Sequence, residues 1–374
     1  MIRSRPDNRI RNWLFLGLLV IPGIVMLLSP RQDISQREAR SLAVKPGLAK
    51  LIEQPFQYTP LWDTYLQDHF GMRDWLLDIN AWIRRTLKSP ASGKAIVGKQ
   101  GWLFYEEGLL PTAETRNEVE EKVSHQVELI QAIANRLDQR GIPLLVVPTP
   151  DKHTVYPENL PGWLHKRSDY HAMDQLISGI RSKGINAIDI RAVLKSSKDQ
   201  QPLFFLTDTH WTPIGAALGF NEIARLSGGV LKPVAIPTGA QQVPGAPHDL
   251  ARMAGFDGEP LDWALPGFVS SYPHAVREEL NVADRSLQAP FVLHRDGPGS
   301  RVLIVGDSFS AHWPLYALES ANTVYWSHHN SCQADWPKLL SLDVDLVIYQ
   351  MLERTIGCPN LGMEFMKTFR SAPN

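Results

Sequence analysis

The chain has 374 residues, 44% of them hydrophobic and 21% charged, a globular composition with room for one large domain or two small ones. Its formal net charge of -1 removes the electrostatic ground for a nucleic-acid partner. No Cys/His cluster has zinc spacing, so no metal and no other cofactor is expected.

The N-terminus is basic and then apolar. Arg3, Arg5, Arg9 and Arg11 precede an uncharged run whose apolar core extends from Trp13 to Leu28. No small-x-small cleavage site follows closely, so residues 1–30 read as a cytoplasmic flank and an uncleaved signal-anchor transmembrane helix. The positive-inside rule then sends the remainder to the outer face of the inner membrane, a periplasmic location. A cleaved signal peptide is the competing reading, and it also exports the globular part. In such a compartment Cys332 and Cys358 could pair, which sequence alone leaves open.

Residues 31–90 read as a juxtamembrane stalk with helices. Trp75, Leu76, Ile79, Trp82 and Ile83 recur at helical spacing. From residue 91 to 374 the pattern changes to strands alternating with helices. A short strand pair is expected in "AIVGKQGWLFY", turning at Gly98 to Gly101. An amphipathic helix follows, with Val119, Val123, Val127, Ile130 and Leu137 on one face and Gly141 as its stop. "IPLLVVPTP" is a continuous apolar run, as a buried parallel strand requires. A helix ends at Gly184, "INAIDI" is a strand, and a helix opens with Thr212 as N-cap and Pro213 in its first turn. "VLIVG" (302–306) and "DLVIYQM" are strands, and a helix is expected from about Ala311. This order predicts an α/β domain with a central, mostly parallel sheet flanked by helices. Residues 230–300, rich in Pro and Gly and weakly periodic, read as an irregular insertion.

Two segments carry candidate chemistry. "TDTHW" places Asp208 and His210 two residues apart, where an extended loop presents both side chains on one face. "VLIVGDSFS" is a strand followed by a tight turn that exposes Ser308 at the sheet's carboxyl edge, with helix N–H groups aimed at the same place. A serine hydroxyl needs a base within reach, and the base needs an acid to orient it. Ser308, His210 and Asp208 supply those types. Taken singly, Gly-Asp-Ser is often a turn and Asp-x-His a solvated loop. A metal pair completed by His328 or His329 ranks below the triad.

The same residues carry a family resemblance. "DTHW" with "GDSFS" resembles the permuted SGNH-hydrolase-like domain of the AlgJ/AlgX-like polysaccharide (alginate) O-acetyltransferases. "REARSLAVKP", "GKQGWLFY", "VPTPDKHTVYPENLP", "HDLARMAG" and "YQMLERTIG" extend the likeness over nearly all of the expected exported part. The N-terminal anchor makes the chain similar to the membrane-anchored AlgJ type. The resemblance implies Ser308 as nucleophile, His210 as base and Asp208 as acid, in an order reversed from ordinary SGNH hydrolases. It further implies an acetyl-serine intermediate and acetylation of an exopolysaccharide such as alginate. A multispanning membrane O-acyltransferase would relay the acetyl group, alongside other polysaccharide biosynthesis proteins. A Gly-x-Asn oxyanion block is missing, so only the Ser308 N–H is assigned as an oxyanion donor.

Four further residues are weaker candidates for substrate binding. Lys152 and Tyr156 either line the groove or belong to a cap or surface loop. Trp313, like Trp211, is either a sugar platform or packing. Arg354 either binds an acidic uronate or makes an ion pair near Glu353. A polysaccharide acetyl esterase with the same triad, and a non-catalytic polysaccharide-binding scaffold, are the rival functions.

Overall fold

The computed structural model describes residues 8–28, 34–35, 40–53, 55–76, 79, 91–92, 94–109, 115–164, 172–246, 248–256, 258–282, 289–330 and 332–357. The chain divides into two compact units, Met1–Gly93 and Lys94–Asn374.

In the first unit, Asn8–Leu28 is one helix of 21 residues with Pro22 inside it. Its first turn holds Arg9 and Arg11, which leaves an apolar stretch shorter than the roughly 20 residues a bilayer core needs. Among the described residues no helix is long and apolar enough to cross a membrane. The expected anchor is thus helical, but a spanning role does not follow from it. Further on, the helix Pro55–Asp68 stacks Tyr58, Trp62 and Tyr65 edge to face at helical spacing, and His69 closes the series against Tyr65. Asp68 and His69 both bind the backbone of Ala43, at 2.8 and 2.9 Å. Of the helix expected around Trp75, Trp75 and Leu76 are helical, and Trp82 and Ile83 lie outside the described residues.

The second unit opens with an antiparallel strand pair, β1 (Ala95–Val97) and β2 (Leu103–Tyr105). Helix α1 (Arg116–Asp138) follows. Thr115 and Glu118 form a capping box that satisfies two of its orphan N–H groups. Its apolar stripe, Val123, Val127, Ile130, Ile133 and Leu137, is buried in the main core. Helix α2 (Ala172–Ser182) lays Met173, Leu176, Ile177 and Ile180 into the same cluster.

A seven-stranded sheet forms the centre. Its strands are β3 (Leu144–Thr149), β4 (Asn186–Ala187), β5 (Val276–Glu279), β6 (Phe291–His294), β7 (Ser300–Gly306), β8 (Ala321–His328) and β9 (Leu346–Leu352). Their spatial order is β5-β6-β8-β7-β9-β3-β4. Every residue of β3 and β9 is buried, as their unbroken apolar sequences require. The pairs β7/β8, β7/β9, β9/β3 and β3/β4 are parallel.

The pairs β5/β6 and β6/β8 are antiparallel, so the sheet is mixed and the expectation of a mostly parallel sheet needs that correction at one edge. The cause is the connection at 295–299, too short for the crossover that a parallel return demands. Both antiparallel strands lie at least partly within the segment expected to be irregular. That segment also forms a hairpin, Gln241–Pro244 with Leu261–Ala264, and a one-turn helix, Asp249–Met253. "INAIDI" contributes only Asn186–Ala187 as strand. Ser308–His312 is a 3-10 turn, followed by helix α4 (Trp313–Leu318), so the helix expected from Ala311 begins two residues later. The helix capped by Thr212 is α3 (Pro213–Leu226), with Pro213 at its first position as expected.

Candidate active site

Strands β3, β7 and β9 run parallel and end at one edge of the sheet. Just beyond their ends lie Asp151 and Lys152 (after Pro150), Asp307 and Ser308, and Glu353 and Arg354. Loops beyond the carboxyl ends of parallel strands are where an α/β sheet gathers functional side chains.

The Ser308 turn is built by its neighbours. Gly306 has no room for a side chain, since a Cβ there would lie 2.4 Å from Ser310 Oγ and 2.7 Å from Gln350 Oε1. Gln350 Oε1 accepts from Asp307 N at 2.8 Å. Asp307 accepts from Phe309 N through Oδ1 and from Leu352 N through Oδ2, each at 2.9 Å. Burial tends to raise this carboxyl, but His329 and the Phe309 N–H outweigh it and hold Asp307 below the usual carboxylate range. Asp307 therefore serves the turn, and Ser308 is left at its head.

The Asp208–His210 loop is closed at its base by a bridge between Phe204 and Trp211. His210 Nε2 lies 2.8 Å from Ser308 Oγ, and His210 Nδ1 lies 2.5 Å from Asp208 Oδ1. Asp208 Oδ1 also accepts from His210 N at 2.9 Å. The three side chains thus form one hydrogen-bonded line across 98 residues of sequence. About a third of the His210 side chain is open to solvent. Burial works against its proton, but the hydrogen bond and charge of Asp208 prevail and hold its pKa above the ordinary histidine value. Burial alone would raise Asp208; hydrogen bonds from His210 and His248 reverse this and hold it far below the usual range.

Residues from the supposedly irregular segment support this loop, and sequence reasoning missed them. Asp262, buried, accepts from Leu206 N at 2.7 Å, Thr207 N at 2.8 Å and Thr207 Oγ1 at 2.5 Å. Asp249, buried, accepts from Thr209 N at 2.7 Å and Thr209 Oγ1 at 2.5 Å. His248 Nδ1 stands 3.1 Å from Asp208 Oδ2. "HDLARMAG" held two of these three, but nothing in its spacing tied them to Asp208. Ligating atoms of Asp208, His210 and Asp249 fall within 4.8 Å of one another, close enough to consider a cation. Those groups already bind one another, Thr209 and His248, which favours the proton-transfer reading of the cluster. His328 and His329, the other metal candidates, bind Asn330 N and Asp307 instead.

The weaker candidates divide. Tyr156 is buried, its hydroxyl accepts from Leu203 N at 3.1 Å, and its ring packs on Trp102. Trp313 is 0% exposed and donates to Ala216 O at 3.1 Å. Both rings are buried in packing with no face open to a sugar, and the polar tip of each has a hydrogen-bond partner there, as buried Tyr and Trp usually do. Lys152 is also buried, donating to Leu103 O at 2.7 Å and Leu206 O at 3.2 Å. Desolvation lowers its pKa to about 8 against the attraction of Asp208, Asp249 and Asp262. Arg354 makes the ion pair expected near Glu353: its partner is Asp151, whose own N–H donates to Glu353 Oε2 at 2.9 Å. Lys152 and Arg354 do line one small cleft, together with Tyr105, Thr209 and Leu250. Trp211 is buried and donates to Phe309 O at 3.0 Å, which ties the histidine loop to the serine turn.

Residues 95–319, more than half of the chain, match the family described as SGNH hydrolase-like domain, acetyltransferase AlgX. The chain belongs to this family. Within the AlgX-type SGNH hydrolase-like family, a probable alginate O-acetylase AlgJ of Pseudomonas putida is 28% identical over 325 residues, 82% of this chain and 76% of that protein. A probable alginate O-acetylase AlgJ of Pseudomonas syringae pv. tomato is 28% identical over 214 residues. That match covers 56% of this chain, which spans only about half, 50%, of the relative's length. The solved O-acetyltransferase domain of Pseudomonas putida AlgJ has the same fold, with a TM-score of 0.52 at 21% identity, covering 75% of this chain and all of that one. A mixed central sheet flanked by helices is consistent with an SGNH hydrolase-like domain.

Proposed function

We propose that this chain is an O-acetyltransferase that carries an acetyl group on Ser308 and passes it to hydroxyls of an exopolysaccharide such as alginate. The hydrogen-bonded line Ser308–His210–Asp208 carries the proposal. His210 Nε2 takes the Ser308 proton as Oγ attacks the acetyl carbonyl of the donor ester. The proton leaves with the donor's alcohol and an acetyl-serine remains. A sugar hydroxyl then gives its proton to His210 and attacks that ester, and the proton returns to Ser308. Asp208 fixes the tautomer of His210 and stabilises the imidazolium. The Ser308 N–H is the oxyanion donor we assign.

The site faces the periplasm in this reading, and the N-terminal helix holds the chain at the inner membrane. The basic flank before Trp13 supports that orientation. So does Cys332, which is disulfide-bonded and suits an oxidising compartment. The one other cysteine of the sequence, Cys358, lies outside the described residues. A multispanning membrane O-acyltransferase would bring the acetyl group across, and other polysaccharide biosynthesis proteins would present the polymer.

Ser308→Ala decides the chemistry. Turnover of an acetyl ester should fall by about a thousandfold or more, and a sulfonyl fluoride should label wild type but not the variant. Wild-type turnover by Ser308→Ala would refute the mechanism. The acceptor is decided by adding an acidic oligosaccharide to the wild type: acetylated sugar marks a transferase, and release of acetate alone marks an esterase.

A further inference from the structure

Asp208 has two carboxylate oxygens and each faces a different imidazole. Oδ1 lies 2.5 Å from Nδ1 of His210, and Oδ2 lies 3.1 Å from Nδ1 of His248. His248 precedes the helix Asp249–Met253, whose first residue, Asp249, holds Thr209 by two bonds. Its ring lies nearly parallel to Phe205, 5.2 Å between centroids, so it is braced from one side. Ala251 N donates to Thr207 O at 3.1 Å, so one short segment grips the loop on both flanks of Asp208. Nothing in the proton transfer between Ser308 and His210 uses His248.

We propose that His248 is a positioning residue of this site: it fixes the second oxygen of Asp208, and its protonation draws part of that carboxylate's charge away from His210. The inference rests on the acetyl-transfer reading for its effect on rate, but not for its effect on the titration of His210.

The charged surroundings set the sign. His248 faces the carboxylates of Asp208, Asp262 and Asp249, and the Asp208 hydrogen bond raises its pKa above the ordinary histidine value against desolvation. His210 faces Asp208, Asp249 and the Arg354 guanidinium, and its own charge bears on His312. The Lys152 ammonium acts on the same three carboxylates. Two imidazoles on one carboxylate compete, so each proton on His248 makes a proton on His210 less favourable. Without an ionisable group at 248, Asp208 serves His210 alone and His210 holds its proton to higher pH.

The test compares the full chain with His248→Asn and His248→Ala. Asparagine places an amide donor where Nδ1 stood and cannot titrate. Nitrogen-15 NMR of the histidine rings should show the His210 pKa rising by about half a unit to one unit in both variants. The acid limb of kcat/KM for an acetyl ester should move up with it. His248→Asn should keep kcat within about threefold, while His248→Ala should lose about tenfold in kcat with KM unchanged. An His248→Asn protein whose His210 titrates as in wild type overturns the proposal, whatever its rate and even if His248→Ala does not fold. A wild type without acetyl turnover overturns the acetyl-transfer reading instead, and the NMR titration still decides the role of His248.

Discussion

A base works only while it lacks its proton, and Asp208 makes His210 hold that proton more firmly than a free histidine does. The acid limb of kcat/KM for acetyl-ester turnover is therefore expected above pH 6.5, the unperturbed histidine value. A limb at or below that value would mean that Asp208 does not govern His210. The three triad candidates were legible in sequence because each follows an apolar run, although only that of Ser308 is a strand of the sheet; the run before Asp208 and His210 makes just an isolated bridge. Their likeness to a known family then joined two segments that spacing alone could not. Lys152 and Arg354 were legible only as residues near that edge. That their charges turn inward, to two carbonyls and to Asp151, depends on neighbours far away in the chain. A long cationic side chain in a loop reads the same in sequence whether it faces water or a buried carbonyl.

The segment 230–300 shows how much an element can contribute without a periodic signature. Its strands have four residues each, too few for alternation to stand out, and two of them complete the sheet edge. Asp262, in the last strand of its inner hairpin, satisfies the N–H groups of Leu206 and Thr207 just ahead of Asp208. Asp262→Ala leaves those buried donors without an acceptor, which should cost about 3 kcal/mol of unfolding free energy in urea. Activity should fall with it, since the loop that carries the base would lose its anchor. An Asp262→Ala protein with wild-type stability and turnover would show that the hairpin is a passenger. A lone aspartate between a leucine and a tryptophan announces none of this; its role is fixed by which backbone it meets.

At the scale of the whole molecule, the α/β order of elements was readable because β3 and β9 are continuous apolar runs and α1 has a clear stripe. The mixed character of the sheet was hidden in the short connection at 295–299. Tertiary closure has a covalent part as well. Cys332, buried and disulfide-bonded, lies in the main core beside Gln126 and Tyr349. Reduction should lower the unfolding free energy by about 3 kcal/mol, measured by urea titration with and without a thiol reductant. An unchanged midpoint would mean that the bond adds nothing to the folded state and would weaken the case for an oxidising compartment.

The indole of Trp211 reaches the carbonyl next to Ser308 from the loop that holds His210. In the unfolded chain those partners are 98 positions apart, and Ser308 is as inert as any serine in water. On the acetyl-transfer proposal, a polypeptide still being synthesised carries no armed nucleophile. On that same proposal, Ser308 becomes reactive only once folding brings His210 to it, and the buried Trp211 contact ties those two segments together.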